Sequence, residues 1–259
     1  MSKLRSFKKQ SAKKYWTPHW QMETNEGVVR KAEWDENWIH AKSKVSDHHL
    51  RKLIDHAPSY NHDEMLAMNR AKTSTHSLNN HLVAHGPNFP PEKPPTFMQK
   101  LHGYTPKHLE EMHRHLSNAI QKTTAPHEFH VYTGLGKRRS AHVNSGIENG
   151  GVVHFPHFLS TSLNKRTPLT FTDVETKENH LLKIKIPKGA HHVALEPSLH
   201  EYYKQNPHGP ISIGGEHEIM LHHGAKIRIH PGHHEINWGK IKIKLHHATL
   251  IHDGIKSHE

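Results

Sequence analysis

Gly215-Glu216-His217-Glu218-Ile219-Met220-Leu221 sets two carboxylates one residue apart at the leading edge of a short apolar run. In an extended strand side chains alternate between faces, so Glu216 and Glu218 are expected on one face, with His217 and Ile219 on the other. Like charges that close raise the pKa of one member, and such a pair suits a cationic or hydroxyl-bearing ligand. Any alternating strand with solvated acids contains the same pattern, so its weight depends on what stands upstream.

Two stretches stand there. Val131-Tyr132-Thr133-Gly134-Leu135-Gly136 is a β-rich run that breaks into glycines, and Phe158-Leu159-Ser160-Thr161-Ser162-Leu163 ends an apolar stretch in three small hydroxyls. Between them and the acids, Leu181-Leu182-Lys183-Ile184-Lys185-Ile186-Pro187-Lys188-Gly189-Ala190 reads as a strand closed by a P-x-G turn. In this order and spacing the chain resembles the mono-ADP-ribosyltransferases of the R-S-E type over roughly residues 105 to 251. Their pattern is an aromatic-Arg-Gly strand end, an S-T-S strand, and E-x-E some tens of residues later. One position departs from it: Thr133 stands where the family has the first-motif arginine, and a threonine has one donor and no charge.

The resemblance implies an α+β fold, a helical N-terminal half packed on a mixed, mostly antiparallel β-sandwich core. It implies transfer of ADP-ribose from NAD to a protein side chain, with NAD as substrate and no metal. Glu218 would stabilise the oxocarbenium-like nicotinamide ribose. Glu216 would orient the acceptor, and the E-x-E form goes with arginine as that acceptor. Ser160 would support the catalytic carboxylate. Thr133, Gly134, Thr161, Ser162 and the aromatic Phe171 would line the NAD site, with Arg138 supplying the missing cation ahead of Lys137 and Arg139. Tyr202 and Tyr203, in the Gly- and Pro-rich loop 198–215, would meet the protein substrate. Size and basic character resemble the bacteriophage enzymes of this type. The alternative readings are a transferase fold that binds nucleotide or nucleic acid without transfer, and an NAD glycohydrolase.

Composition bounds the rest. The chain has 259 residues, a formal charge of +11 and no cysteine, which excludes disulfides and thiolate metal sites. Its basic balance favours acidic partners: target proteins as acceptors and, through Lys3, Arg5, Lys8, Lys9, Lys13 and Lys14 in the arm 1–20, nucleic acid. No stretch approaches the roughly 20 apolar residues of a membrane span, so no membrane partner is expected. The N-terminus lacks a signal-peptide core, and the expected compartment is the cytoplasm of the producing cell or of a cell that receives the protein. The 33 histidines are scattered widely, in doublets and H-x-x-H spacings, and read as polar surface residues in place of Asn, Gln or Lys.

Along the chain the arm 1–20 is followed by a helical region over 21–104, with a Pro-rich linker at 86–97, and by the transferase core over 105–259. Trp16, Trp20, Trp34 and Trp38 mark where the arm docks, and Asn61 is expected to cap a helix. Thr105 as N-cap, Pro106 at the first helical position, and Leu109, Met112, Leu116 and Ile120 along one face define another. Strands are expected at 127–133, 152–160, 180–186, 216–222, 226–230 and 240–251. In the last, Lys240-Ile241-Lys242-Ile243-Lys244-Leu245 alternates between a basic and an apolar face.

Overall fold

The computed structural model describes residues 52–53, 55–73, 75–89, 105–135, 151–169, 179–195, 217–238 and 241–255. The arm, its tryptophans and most of the Pro-rich linker lie outside them.

The helices start where side chains can satisfy their first amides. Asn61 Oδ1 accepts the Glu64 amide and the Glu64 carboxylate accepts the Asn61 amide, both at 2.9 Å. This reciprocal capping box opens α1 (His62–Thr73). α2 (His76–His85) follows, and α3 (Pro106–Lys122) begins as expected, the Thr105 hydroxyl accepting from the His108 amide at 3.3 Å. Glu64 is buried, a cost of several kcal/mol for an unpaired carboxylate; Lys122 Nζ meets it at 2.6 Å and ties the start of α1 to the end of α3.

The strands are β1 (Phe129–Leu135), β2 (Val152–Phe155), β3 (Leu159–Ser162), β4 (Asn179–Ile186), β5 (Val193–Ala194), β6 (Glu218–Leu221), β7 (Ala225–Ile229), β8 (His234–Trp238) and β9 (Ile241–His252). A one-turn helix, α4 (Arg166–Leu169), follows β3. The strands pair in the order β2-β7-β9-β4-β1-β3-β6-β5, with β8 beside β9. β4 and β9 run parallel and the other pairs antiparallel, giving the mixed sheet expected from the resemblance.

The single strand expected over 152–160 is two strands. Pro156, which has no amide to give a ladder, falls at the break. β2 pairs with β7, whereas β3 pairs with β1 and β6. Along the hydrogen-bonded path β2 and β3 lie five strand spacings apart, about 24 Å in a flat sheet. The chain from Phe155 to Leu159 reaches at most about 14 Å. The sheet therefore bends back on itself into two layers. Their shared interior holds Val131, Val153, Phe155, Leu159, Ile184, Ile219, Ile227 and Leu250.

Two outer cores complete the packing. α1, α2 and α3 cover one outer face, where Met68, Leu82, Leu116 and Ile120 meet Phe158, Val193, Leu195 and Met220. Asn79 Nδ2 donates to the Phe158 carbonyl at 3.1 Å across that joint. On the other half, Leu169 of α4 packs with Tyr132, Leu181, Ile243 and Leu245. β5 and β8 have no counterpart among the expected strands: β5 is too short to show a period, and β8 lies in a histidine-rich stretch. Among the described residues no helix is long and apolar enough to cross a membrane.

Candidate active site

The register of β1, β3 and β6 builds the site. Tyr132 pairs with Ser162 and Ser162 with Glu218, so these three side chains form one row across one face. Ser160 pairs with Met220 in the adjacent row, on the same face. From there Ser160 Oγ donates to Glu218 Oε1 at 2.5 Å, a short charge-assisted contact that fixes the direction of the carboxylate. Glu218 is only 7% exposed and sits at the very start of β6.

That start corrects one expectation. His217 has φ 47°, in the left-handed region, so the extended geometry does not reach back to Glu216. Histidine is among the residues that visit this region most readily after glycine. The Leu163 amide holds the turn by donating to the His217 carbonyl at 3.0 Å. Glu216 lies outside the described residues, and strand alternation no longer places it on the face of Glu218.

The remaining hydroxyls are committed within the fold, where the sequence reading gave them to NAD. Thr161 points to the opposite face and donates to the Ile219 carbonyl at 2.6 Å, bolting β3 to β6. Ser162 Oγ accepts the Asn164 amide at 2.9 Å and shapes the turn out of β3. Thr133 is 2% exposed and donates to the Ser160 carbonyl at 3.0 Å. Its single donor thus joins β1 to β3. Gly134 stays within β1, paired with Leu181, and does not open a turn. Arg138, Phe171, Tyr202 and Tyr203 lie outside the described residues.

A cation missed in the sequence stands at the other end of the row. Lys165, in the turn after β3, is 5% exposed, and its Nζ lies 5.8 Å from the centroid of the Tyr132 ring. Two strand spacings, roughly 10 Å, separate the strand of Tyr132 from that of Glu218. A buried ammonium and a buried carboxylate therefore bracket Ser162 on one face. Burial pushes the Tyr132 phenol up to about 12, so the ring beneath the ammonium stays uncharged. The available signal was position, three residues beyond S-T-S, but only the register shows that Lys165 reaches back over β1.

A few of the histidines also depart from expectation, while others, such as His130, His154 and His247, are exposed. His192, His222 and His246 are buried, and imidazoles stack where helices meet sheet. His113 of α3 and His223 bring their Nε2 atoms to 2.8 Å, the His222 and His223 rings lie 4.1 Å apart, and Phe158 packs against all three. Burial, then the neighbouring imidazoles, pushes His113 down to about 4 and His223 to about 3. Burial likewise takes His192 and His246 to about 4. They are neutral packing groups rather than surface substitutes. Among the described residues no group of three or more His, Asp or Glu side chains is placed to hold a metal ion.

A two-layer mixed sheet with a helical cap and a serine-held glutamate at a strand start defines an ADP-ribosyltransferase. The chain belongs to the ADP-ribosyltransferase exoenzyme family, whose model matches residues 99–252. Its fold is similar to that of Plx2a, an ADP-ribosyltransferase toxin from Paenibacillus larvae, at 16% identity and a TM-score of 0.55, covering 82% of this chain and 96% of that one. The Vis toxin from Vibrio splendidus matches at 14% identity and a TM-score of 0.53, over 89% and 92% of the two chains. C3stau2 from S. aureus, solved with NAD, matches at 14% identity and a TM-score of 0.52, over 79% and 94%. No curated protein sequence matches the chain. ADP-ribose transfer with NAD as donor is its class of reaction.

Proposed function

We propose that this transferase modifies arginine side chains of target proteins, releasing nicotinamide, in the cytoplasm of the cell that makes it or of one that receives it. The observation that carries the reading is the 2.5 Å contact from Ser160 Oγ to Glu218 Oε1, which holds a buried carboxylate in place at the start of β6. In the reaction the bond between nicotinamide and ribose C1 breaks, its electron pair leaves with nicotinamide, and C1 becomes electron-deficient. A pre-aimed negative charge beside it lowers the barrier without having to reorganise. A guanidinium nitrogen then bonds to C1 and loses a proton.

Arginine is favoured by Glu216, which follows Gly215 and precedes His217 in the chain. A guanidinium keeps its charge, so a site that takes it benefits from a second carboxylate to accept its hydrogen bonds. The Vis toxin has also been solved with agmatine, itself a guanidinium compound. In this reading Lys165 takes the place of the first-motif arginine and grips the NAD diphosphate, while Glu218 attends the nicotinamide ribose.

Incubation with labelled NAD and a cell lysate, beside Glu218→Gln, tests the proposal. Label on arginines with the unaltered chain alone supports it. Nicotinamide release without label makes the chain a glycohydrolase, and label on another side chain overturns the acceptor.

A further inference from the structure

The outer face of the layer formed by β2, β7, β9, β4 and β1 is built from residues spread from 130 to 251 that only the register collects. Val152 pairs with Arg228 and His154 with Lys226; Arg228 pairs with Thr249; Thr249 pairs with Lys185, and His247 with Lys183; Lys185 pairs with His130. Partners opposite one another share a face, so Lys183, Lys185, Lys226 and Arg228 all project from this one. Among the described residues the register brings one carboxylate to it, Glu128 at the strand end, 2.8 Å from Lys185. The cations are near enough to feel each other. Burial, then Lys183, pushes both the His130 and the His247 imidazole below the ordinary value.

The shape selects among polyanions. The sheet wraps its interior, so this face is convex across its strands. Against a duplex, itself a convex rod, it would touch few phosphates. Among the described residues the face exposes no Phe, Tyr or Trp ring on which a single strand's bases could stack, its exposed rings being the imidazoles of His130, His154 and His247. It does present Val152 at 51% and Ile251 at 42% exposure, two of the three exposed large hydrophobics among the described residues. Aliphatic tips set among lysines and an arginine match a surface with phosphates outside and acyl chains beneath.

We propose that this face docks the protein onto anionic lipid bilayers. It lies on the layer away from the helical cap and uses none of the residues placed in the active site, so the proposal is independent of the acceptor. Phosphate headgroups meet the four cations, and Val152 and Ile251 enter the headgroup boundary.

Co-sedimentation of the full chain with phosphatidylcholine vesicles, with and without phosphatidylserine, tests it. Binding is expected only with phosphatidylserine and should fall as salt rises. Each neutralised cation near the surface is worth about fivefold, so Lys183→Gln with Lys226→Gln should bind roughly 30-fold more weakly. Val152→Ser with Ile251→Ser should also weaken binding. Nicotinamide release in the absence of vesicles should be unchanged in all variants, which shows that they fold. Equal binding to both vesicles, or full binding by the lysine variants, overturns the proposal. So does duplex DNA that binds more tightly than vesicles and is indifferent to the Val152 and Ile251 changes.

Discussion

The β3/β6 pair and the β4/β9 pair use a strand ladder in opposite ways. β3/β6 matches four residues with four, and each hydroxyl on β3 has its own hydrogen-bond assignment: Ser160 to Glu218, Thr161 to the Ile219 carbonyl, Ser162 to the Asn164 amide. β4/β9 runs parallel over seven matched positions: Lys183 and Lys185 stand on the outer face, continuing the row of Leu181, Ile243 and Leu245, while Leu182, Ile184 and Ala248 face the interior. In the first, function depends on individual atoms. In the second it is a sum over a surface, to which no single lysine is essential.

Glu218→Gln is the sharpest way to break the first region. It keeps the size and the Ser160 contact but removes the charge. ADP-ribose transfer should drop by about a thousandfold or more, the scale of a lost electrostatic stabiliser, with the melting temperature nearly unchanged. A comparable loss from Lys183→Gln would erase the contrast between the regions.

Acid should break the joint between helices and sheet. His113, His192, His223 and His246 have folded-state pKa values near 4 or 3, below the unfolded value of about 6.5. Below that value the unfolded chain binds more protons than the folded one, so stability is full above about pH 6.5 and is lost as pH falls towards 4. The slope is at most about 1.4 kcal/mol per pH unit for each fully buried histidine. The part-exposed His113 and His223 contribute less, because solvent screens them. Urea midpoints at pH 7, 6 and 5 should fall in that order, and a flat profile would show that the imidazoles are not buried neutral.

Lys165→Gln should raise KM for NAD about tenfold, the loss of one charged contact, with a smaller change in kcat. Lys165→Arg should restore most of it, which a purely structural role for Lys165 would not require. The smallest effect is expected from Thr161→Val. It strips a buried carbonyl of its donor at about 1–2 kcal/mol and should lower the urea midpoint while leaving KM for NAD intact.

Much of this was legible in the chain itself. Thr105-Pro106 and Asn61…Glu64 carry their own capping chemistry, and the order of S-T-S and E-x-E held through to a Ser160/Glu218 contact. What escaped was long-range. Pro156 divides one apolar run into strands that belong to different layers, and alternation alone cannot report that. His217 bends the backbone just before Glu218, although E-x-E reads as a smooth strand. Thr133 looked like a weakened arginine, and its role as a tie to the Ser160 carbonyl depends on a neighbour 27 residues away. Lys165 lay three residues from a quoted motif, but its relevance comes from folding back over Tyr132.

The three-residue passage from β2 to β3 also sets an order of assembly. β2 waits for β7, β3 for β6, and β4 for β9, so these three pairings join residues 56 to 76 positions apart. Such long-range topology slows folding. At a synthesis rate of roughly 5–20 residues per second, on the order of ten seconds pass between the making of Ser160 and of β9. Until residue 218 is made Ser160 has no Glu218 to hold, and until β9 is made β4 has no parallel neighbour. The nascent chain therefore carries half of a catalytic pair, and its serine finds the carboxylate only when β6 closes on β3.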